Sequence, residues 1–485
     1  MYRSLRRAAP GALLLSALAA SPAFAADKAA TPEGAATLQG FFASVLPKPA
    51  AGADPLVTVK PDGSSYVVSL DIGAVSNVLK ASGGDVSYEP ARIVYRLIEQ
   101  DDGKWRVVLD SFPKLVAHAE DVTSTFEIRN FNQTLTIDPA IAWWISGSGA
   151  AEGGASTTRG PDVDQSVNFG PVKGEYATTA GAAGAVSSTA KDSFSDIVFK
   201  ASGQGKDQQP VNVSGRFDNV AFNIGVDGLK TRKLFDAWSL VSANRDNLAA
   251  HTDELKGLLR ELAAPGSKLA EGAEGTKGMF ASPMGAITLG AFKMGAGVSN
   301  AGKDSAIDLA LTAEGLSLPV GLAPPGAATL TPSKIDLSAT LKGLDLTAGA
   351  SAAIDRFRFE DGKPKLTDDD MAQVAQAFLS AGPLRVDIAP SHIVAPALDA
   401  DLQGVIRYVE GHAAGTMTIR MRNFDMTMAA IKGLGPDIER KALPGLAMAK
   451  GLAKSESDGS LSWNIEVDEN RSITINGLPL GKAPG

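Results

Sequence analysis

Residues 56–70 read Leu-Val-Thr-Val-Lys-Pro-Asp-Gly-Ser-Ser-Tyr-Val-Val-Ser-Leu. Two runs rich in β-branched residues flank the turn former Pro61-Asp62-Gly63, and that order predicts a β-hairpin. The same grammar recurs outward from it. Ile93 to Ile98 and Trp105 to Leu109 flank Asp101-Asp102-Gly103, and Phe126, Ile128, Leu135 and Ile137 continue the theme. Strand patterns return at 286–298, 306–320, 335–347, 402–409 and 416–422. Near the end Leu461, Trp463, Ile465 and Val467 alternate, Asp468 to Asn470 turn, and Ile473 and Ile475 come back. With 51 glycines and 27 prolines to supply turns, many short strands are expected.

Helical spacing interrupts this pattern in five places. Leu38, Phe41, Phe42, Val45 and Leu46 form a stripe stopped by Pro47. Leu234, Trp238 and Val241 follow Thr231, and Leu255, Leu258, Leu259 and Leu262 follow Thr252, with both threonines read as N-caps. Thr367 and Asp368 to Asp370 open a helix at 368–380, where acids suit the positive end of the helix dipole. A helical region covers 425–452, broken near Gly433-Leu434-Gly435-Pro436. Residues 146–160 and 177–190, rich in Gly, Ala, Ser and Thr, read as loops or weakly packed edges.

The fold class that follows is α+β and β-dominant, with extended or duplicated antiparallel sheets, an inserted helical hairpin and C-terminal helices. The expected division is a signal peptide at 1–25, an N-terminal β-rich portion at 26–230, a helical insert at 231–280 and a C-terminal β-rich portion at 281–485. Duplication is suggested by two echoes. Val167 to Gly174, with Lys191-Asp192-Ser193 downstream, lines up with Ile287 to Met294 and Lys303-Asp304-Ser305. Ile128-Arg129-Asn130-Phe131 lines up with Met421-Arg422-Asn423-Phe424.

Arg3, Arg6 and Arg7, the apolar run Gly11 to Ala20, and Ala23-Phe24-Ala25 have the layout of a cleaved secretory signal, which predicts a periplasmic protein. The apolar run is too short to span a bilayer, and no later stretch is long enough. The formal net charge of −8 becomes more acidic when those arginines leave, which argues against nucleic acid as a partner. Zero cysteine excludes disulfides, thiolate metal sites and cysteine nucleophiles.

The four histidines, His118, His251, His392 and His412, have no metal-ligand spacing. A Gly-x-Ser-x-Gly elbow, a phosphate-binding loop and a calcium loop are all absent. Asp355, Glu360 and Asp361 read as hairpin acids. No catalytic residue, metal or cofactor is therefore expected. The adjacent pair Trp143 and Trp144, whose side chains should point to opposite faces of a strand, is the one candidate for ligand binding.

Five stretches carry a resemblance: Asp102-Gly103-Lys104-Trp105, Asp138 to Trp144 (DPAIAWW), Leu316 to Pro324 (LSLPVGLAP), Arg422 to Gly435 (RNFDMTMAAIKGLG) and Asn476 to Pro484 (NGLPLGKAP). Together the chain resembles an exported alphaproteobacterial family classed as a domain of unknown function, over nearly all of the sequence past the leader. That resemblance implies no activity and no site residues. Gly315-Leu316-Ser317-Leu318-Pro319 is also similar, as fold-level analogy, to AsmA-like envelope proteins, whose long sheets form apolar grooves. The expected function is a non-enzymatic envelope protein holding an apolar ligand such as lipid in a curved-sheet groove. The alternatives are an assembly factor that binds another envelope protein, and a carboxylate-dependent hydrolase.

Overall fold

Alternation and turn chemistry dominate this chain, and the structure, a computed structural model, is correspondingly β-dominant with several helices. It describes residues 29–46, 54–81, 86–204, 210–283, 285–319, 327–360, 363–409 and 411–482. The expected signal peptide lies outside them. The chain divides into two units: unit 1 takes residues up to Val211 with Asn223–Ser267 and Ala353–Met371, and unit 2 takes Asn212–Phe222, Lys268–Ala352 and Ala372–Gly485.

Unit 1 begins with helix α1 (Pro32–Val45), where Thr31 accepts a hydrogen bond from the Gly34 amide as N-cap and Pro32 sits in the first turn. Strands β1 (Val57–Asp62) and β2 (Ser65–Asp71) form the hairpin read from the sequence, with Asp62 opposite Ser65 and Gly63 at φ 60°. Helix α2 (Ile72–Ala81) follows, then β3 (Val86–Tyr88), β4 (Arg92–Glu99), β5 (Trp105–Leu109), β6 (Leu115–Ala119), β7 (Val122–Arg129), β8 (Asn132–Asp138) and β9 (Trp143–Ala151). Antiparallel pairing runs β1, β2, β4, β5, β8, β9.

Alternate residues along that order share one face, and it is the core: Val68, Leu97, Trp105, Val107, Leu135 and Ile137 pack with Leu38 and Phe42 of α1, all at 5% exposure or less. Phe235 of α3 (Thr231–Ala243) closes it, its ring stacked on Phe41. Unit 1 also holds β10 (Gly153–Gly160), β11 (Val163–Phe169), β12 (Val172–Ala180), β13 (Val186–Gln204), the ends of β14 (Pro210–Leu229) and α4 (Thr252–Ala263).

Several expectations are corrected here. Residues 146–160 and 177–190 are not loops. They lie largely within β9, β10, β12 and β13, because small side chains can pair edge to edge as well as large ones. Gly147, for example, sits against the Leu135 side chain, which a Cβ would overlap. Residues 267–280, grouped with the helical insert, form β15 (Ser267–Ser282). Thr231 is no N-cap: it is buried, and its hydroxyl donates to the Ile141 carbonyl at 2.5 Å. Thr252 likewise donates back to Ala249 at 2.8 Å. The acids of the helix at Asp368–Phe378 do cap. Thr367 Oγ1 accepts from the Asp370 amide at 3.2 Å, and an Asp370 oxygen accepts from the Thr367 amide at 3.0 Å.

Unit 2 continues with β16 (Gly285–Asn300), β17 (Ser305–Glu314), helix α5 (Ala327–Leu330), β18 (Lys334–Leu344) and the start of α6 (Leu346–Arg356). A short hairpin, β19 (Arg358–Glu360) with β20 (Lys363–Lys365), belongs to unit 1, and helix α7 (Asp368–Phe378) returns to unit 2. Then come β21 (Leu384–Ala395), β22 (Leu398–Val409), β23 (His412–Arg422), α8 (Phe424–Lys432), α9 (Pro436–Leu452), β24 (Lys454–Ser455), β25 (Leu461–Val467), β26 (Ser472–Ile475) and β27 (Leu478–Lys482). Antiparallel pairing runs β16, β17, β18, β21, β22, β23, β25, β26, β27.

The first sequence echo is not structural. Val167 to Gly174 spans the turn between β11 and β12, whereas Ile287 to Met294 is the interior of β16. The second echo is local: Asn130 and Asn423 both end a strand in the left-handed region, at φ 50° and 59°, which asparagine tolerates better than most residues. One becomes a turn between strands and the other precedes α8.

Leu97 is 1% exposed at the centre of unit 1. Leu97→Ala is expected to destabilise unit 1 by about 2–5 kcal/mol, read as a lowered urea midpoint by tryptophan fluorescence. An unchanged midpoint would contradict the core assignment.

Candidate functional site

A strand places successive side chains on opposite faces, so the register of unit 2 sorts its residues into two sets. One cross-strand row reads Ala296, Leu309, Ala339, Ile388, Gly404, Met417, Ile465, Ile475. A row on the other face reads Lys293, Thr312, Asp336, His392, Asp401, Arg420, Ser462. The first face is apolar and the second is charged. An irregularity between Ile388 and Ser391 keeps them sorted. Ala389 and Pro390 stand outside the register there, and a bulge is where a residue without an N–H fits a sheet. If all four steps from Ile388 to His392 stayed in regular register, without the bulge, His392 would turn to the apolar side.

The apolar face is covered at one end only. Over β25, Trp463 is 5% exposed, its ring centroid is 5.6 Å from that of Phe424 in α8, and its indole N–H donates to Ala449 in α9 at 2.7 Å. Over β16 and β17, Leu309 is 56% exposed and Met294 49%. Large apolar side chains left open in one contiguous patch mark a binding surface more than a packing accident.

A groove of about 630 Å³ lies there, wholly within unit 2. Gly272, Ala273, Gly295, Ala296, Ala310 and Ala339 bring its floor close to the backbone, and Phe222, Met294, Leu309, Leu311, Leu337 and Ile388 supply the apolar walls. Its lining comes from β14 through β18 and β21. At about 4.8 Å per strand that is a track of roughly 24 Å. The volume falls inside the range of about 300–1,000 Å³ typical of ligand sites.

On the charged face Arg422 binds both Asp399 and Asp401, at 2.8 and 2.9 Å, and His392 Nδ1 also meets Asp401. These residues compensate one another and leave no open polar centre. The remaining histidines are apart in their partners: His118 meets Thr123 and Glu89, His251 meets Glu254, and His412 meets the Glu469 carbonyl. Asp355 pairs with Arg260, and Glu360 with Lys365 and Arg358; Asp361 lies outside the described residues.

The tryptophan pair does not line this groove. Trp143 and Trp144 belong to unit 1, and they do not point to opposite faces. Their rings stack at 4.0 Å with planes 28° apart. A register shift lies just after the pair, with Thr136 opposite Ser146 but Ile137 opposite Trp144. Ala142, at φ 53°, turns the chain just before it. Trp143 donates to Ser188 Oγ at 3.3 Å, and Trp144 packs on the unit 1 core. The groove residues were legible as strand residues in the sequence, but no short-range signal joins Met294, Leu309, Leu337 and Ile388, which meet only through pairing.

No family model, curated protein or solved structure matches this chain.

Burial pushes the Asp401 carboxyl up, but the hydrogen bond from His392 and the charge of Arg422 outweigh it and hold the group below its usual value. A carboxyl depressed on folding stabilises the protein above its unfolded pKa, and that contribution is lost as pH falls through the folded value. Unit 2 is therefore expected to weaken below about pH 4. Asp401→Asn should lower the urea midpoint at pH 7 and narrow the gap between pH 7 and pH 3. A gap unchanged by the substitution would contradict this role.

Proposed function

We propose that the chain is a non-enzymatic envelope protein, exported to the periplasm through residues 1–25, that holds an apolar chain such as a lipid acyl group on the open face of unit 2. The observation that carries this reading is the uncovered groove of about 630 Å³, lined by Met294, Leu309, Leu311, Leu337 and Ile388. Its track of roughly 24 Å suits an extended hydrocarbon chain better than a compact metabolite. Burying about ten methylenes there gains about 8 kcal/mol, enough to offset much of the cost of association. The aliphatic walls also suit a ligand without directional polar groups, since they offer little hydrogen bonding beyond the strand backbone.

The test is mass spectrometry of an organic extract from the protein purified gently from native envelope. A stoichiometric lipid is expected. Leu309→Glu, at a site too exposed to be needed for folding, should reduce the bound lipid at least tenfold with the urea midpoint unchanged. An empty wild-type protein, or lipid retained in full by the variant, would overturn the reading.

A second reading, docking of another envelope protein, is favoured by β27. All five of its residues are exposed, Leu478 and Leu480 included, and among the described pairings it pairs with β26 alone. Such an edge can accept an added strand. Leu480→Lys should then abolish cross-links from this edge in the envelope without altering lipid content; cross-links that persist would sink this second reading.

A further inference from the structure

We infer that the groove selects its ligand by the charge at its polar end, accepting a neutral or cationic end group and rejecting a free fatty-acid carboxylate, and that Glu271 makes the choice. This rests on the apolar-chain reading above. Among the described residues that line the groove Glu271 is the one ionisable group, with no Lys, Arg or His beside it in that lining. It lies on the apolar face by alternation. Gly275, four residues on in β15, is covered by the Phe292 ring, and Phe292 belongs to the apolar set of β16. From β16 to β25 that set contains no charged residue at any paired position.

Of the two serines in the lining, Ser338 carries its side chain on the charged face by alternation, and Ser391 is already satisfied. The Ser391 hydroxyl donates to the Ala389 carbonyl at 2.9 Å and accepts from the Ser338 amide at 3.2 Å. Glu271 has no ion-pair or hydrogen-bond partner among the described residues. Its charge therefore acts on whatever end group the chain brings beside it. Next to an apolar wall that field is screened less than in open water. An ammonium or a hydroxyl gains from it, and a second carboxylate is repelled.

The experiment compares three probes of one tail, dodecylammonium, dodecanol and dodecanoate, the two ions below their micelle concentrations and the alcohol below its solubility limit, by calorimetry on the full mature chain. Dodecylammonium and dodecanol are expected to bind at least about tenfold tighter than dodecanoate, a size of effect set by one charge–charge contact near a protein surface. Glu271→Gln should remove the discrimination against dodecanoate, and Glu271→Lys should invert it, with tail binding kept. Equal affinity for all three in the wild type, or a preference that survives in Glu271→Gln, overturns this inference alone. Failure of every probe to bind overturns it together with the groove.

Discussion

The structure of unit 2 depends on one constraint, the two-residue period of the strand held in register from β16 to β26. A slip of one residue in any pair would carry a whole strand's aliphatic set to the charged face and its acids and arginines to the apolar one. The bulge at Ala389 and Pro390 is the visible adjustment to this constraint, since it absorbs one residue and preserves both faces. The ion pairs of Arg422 with Asp399 and Asp401 lie across β22 and β23 on the charged side. Half-buried pairs of this kind add a modest amount to stability. Their greater effect is on register, because they match only when these strands are aligned as seen.

Sidedness alone does not produce a site. In unit 1 the corresponding apolar face is closed by α1 and α3, and Leu38, Phe42 and Phe235 fill it. In unit 2 the helices α8 and α9 seal the β25 end through Phe424 and the Trp463 indole, and the β16–β18 part is left open. An apolar sheet face in water is costly unless something covers it. The small residues of the floor, among them Gly295, Ala296 and Ala339, lower that cost and at the same time deepen the groove.

Much of this fold could be read from the residues themselves. The hairpins at Pro61-Asp62-Gly63 and Asp101-Asp102-Gly103, the terminal hairpin after Trp463, and the helices at Thr231–Ala243, Thr252–Ala263 and Asp368–Phe378 follow from local period and turn chemistry. The strands at 146–160 were hidden because Gly, Ser and Thr have the composition of loops, and only pairing with β7, β8 and β12 reveals them. The stacking of Trp143 on Trp144 departs from simple alternation, and the left-handed Ala142 before the pair and the register shift after it are announced by no local pattern. The place of the groove is not legible in any local stretch, because its walls come from strands far apart in the sequence.

The central claim is that one face of one sheet, and not the protein surface in general, carries the ligand. Photo-cross-linking from two adjacent positions of β17 tests it most directly: a benzophenone side chain at Leu309 faces the groove, and one at Asp308 faces the charged side. Irradiation in the native envelope should yield a lipid adduct from position 309 and none from 308. Equal adducts from both positions, or no lipid adduct from 309 in a folded protein, would contradict the account.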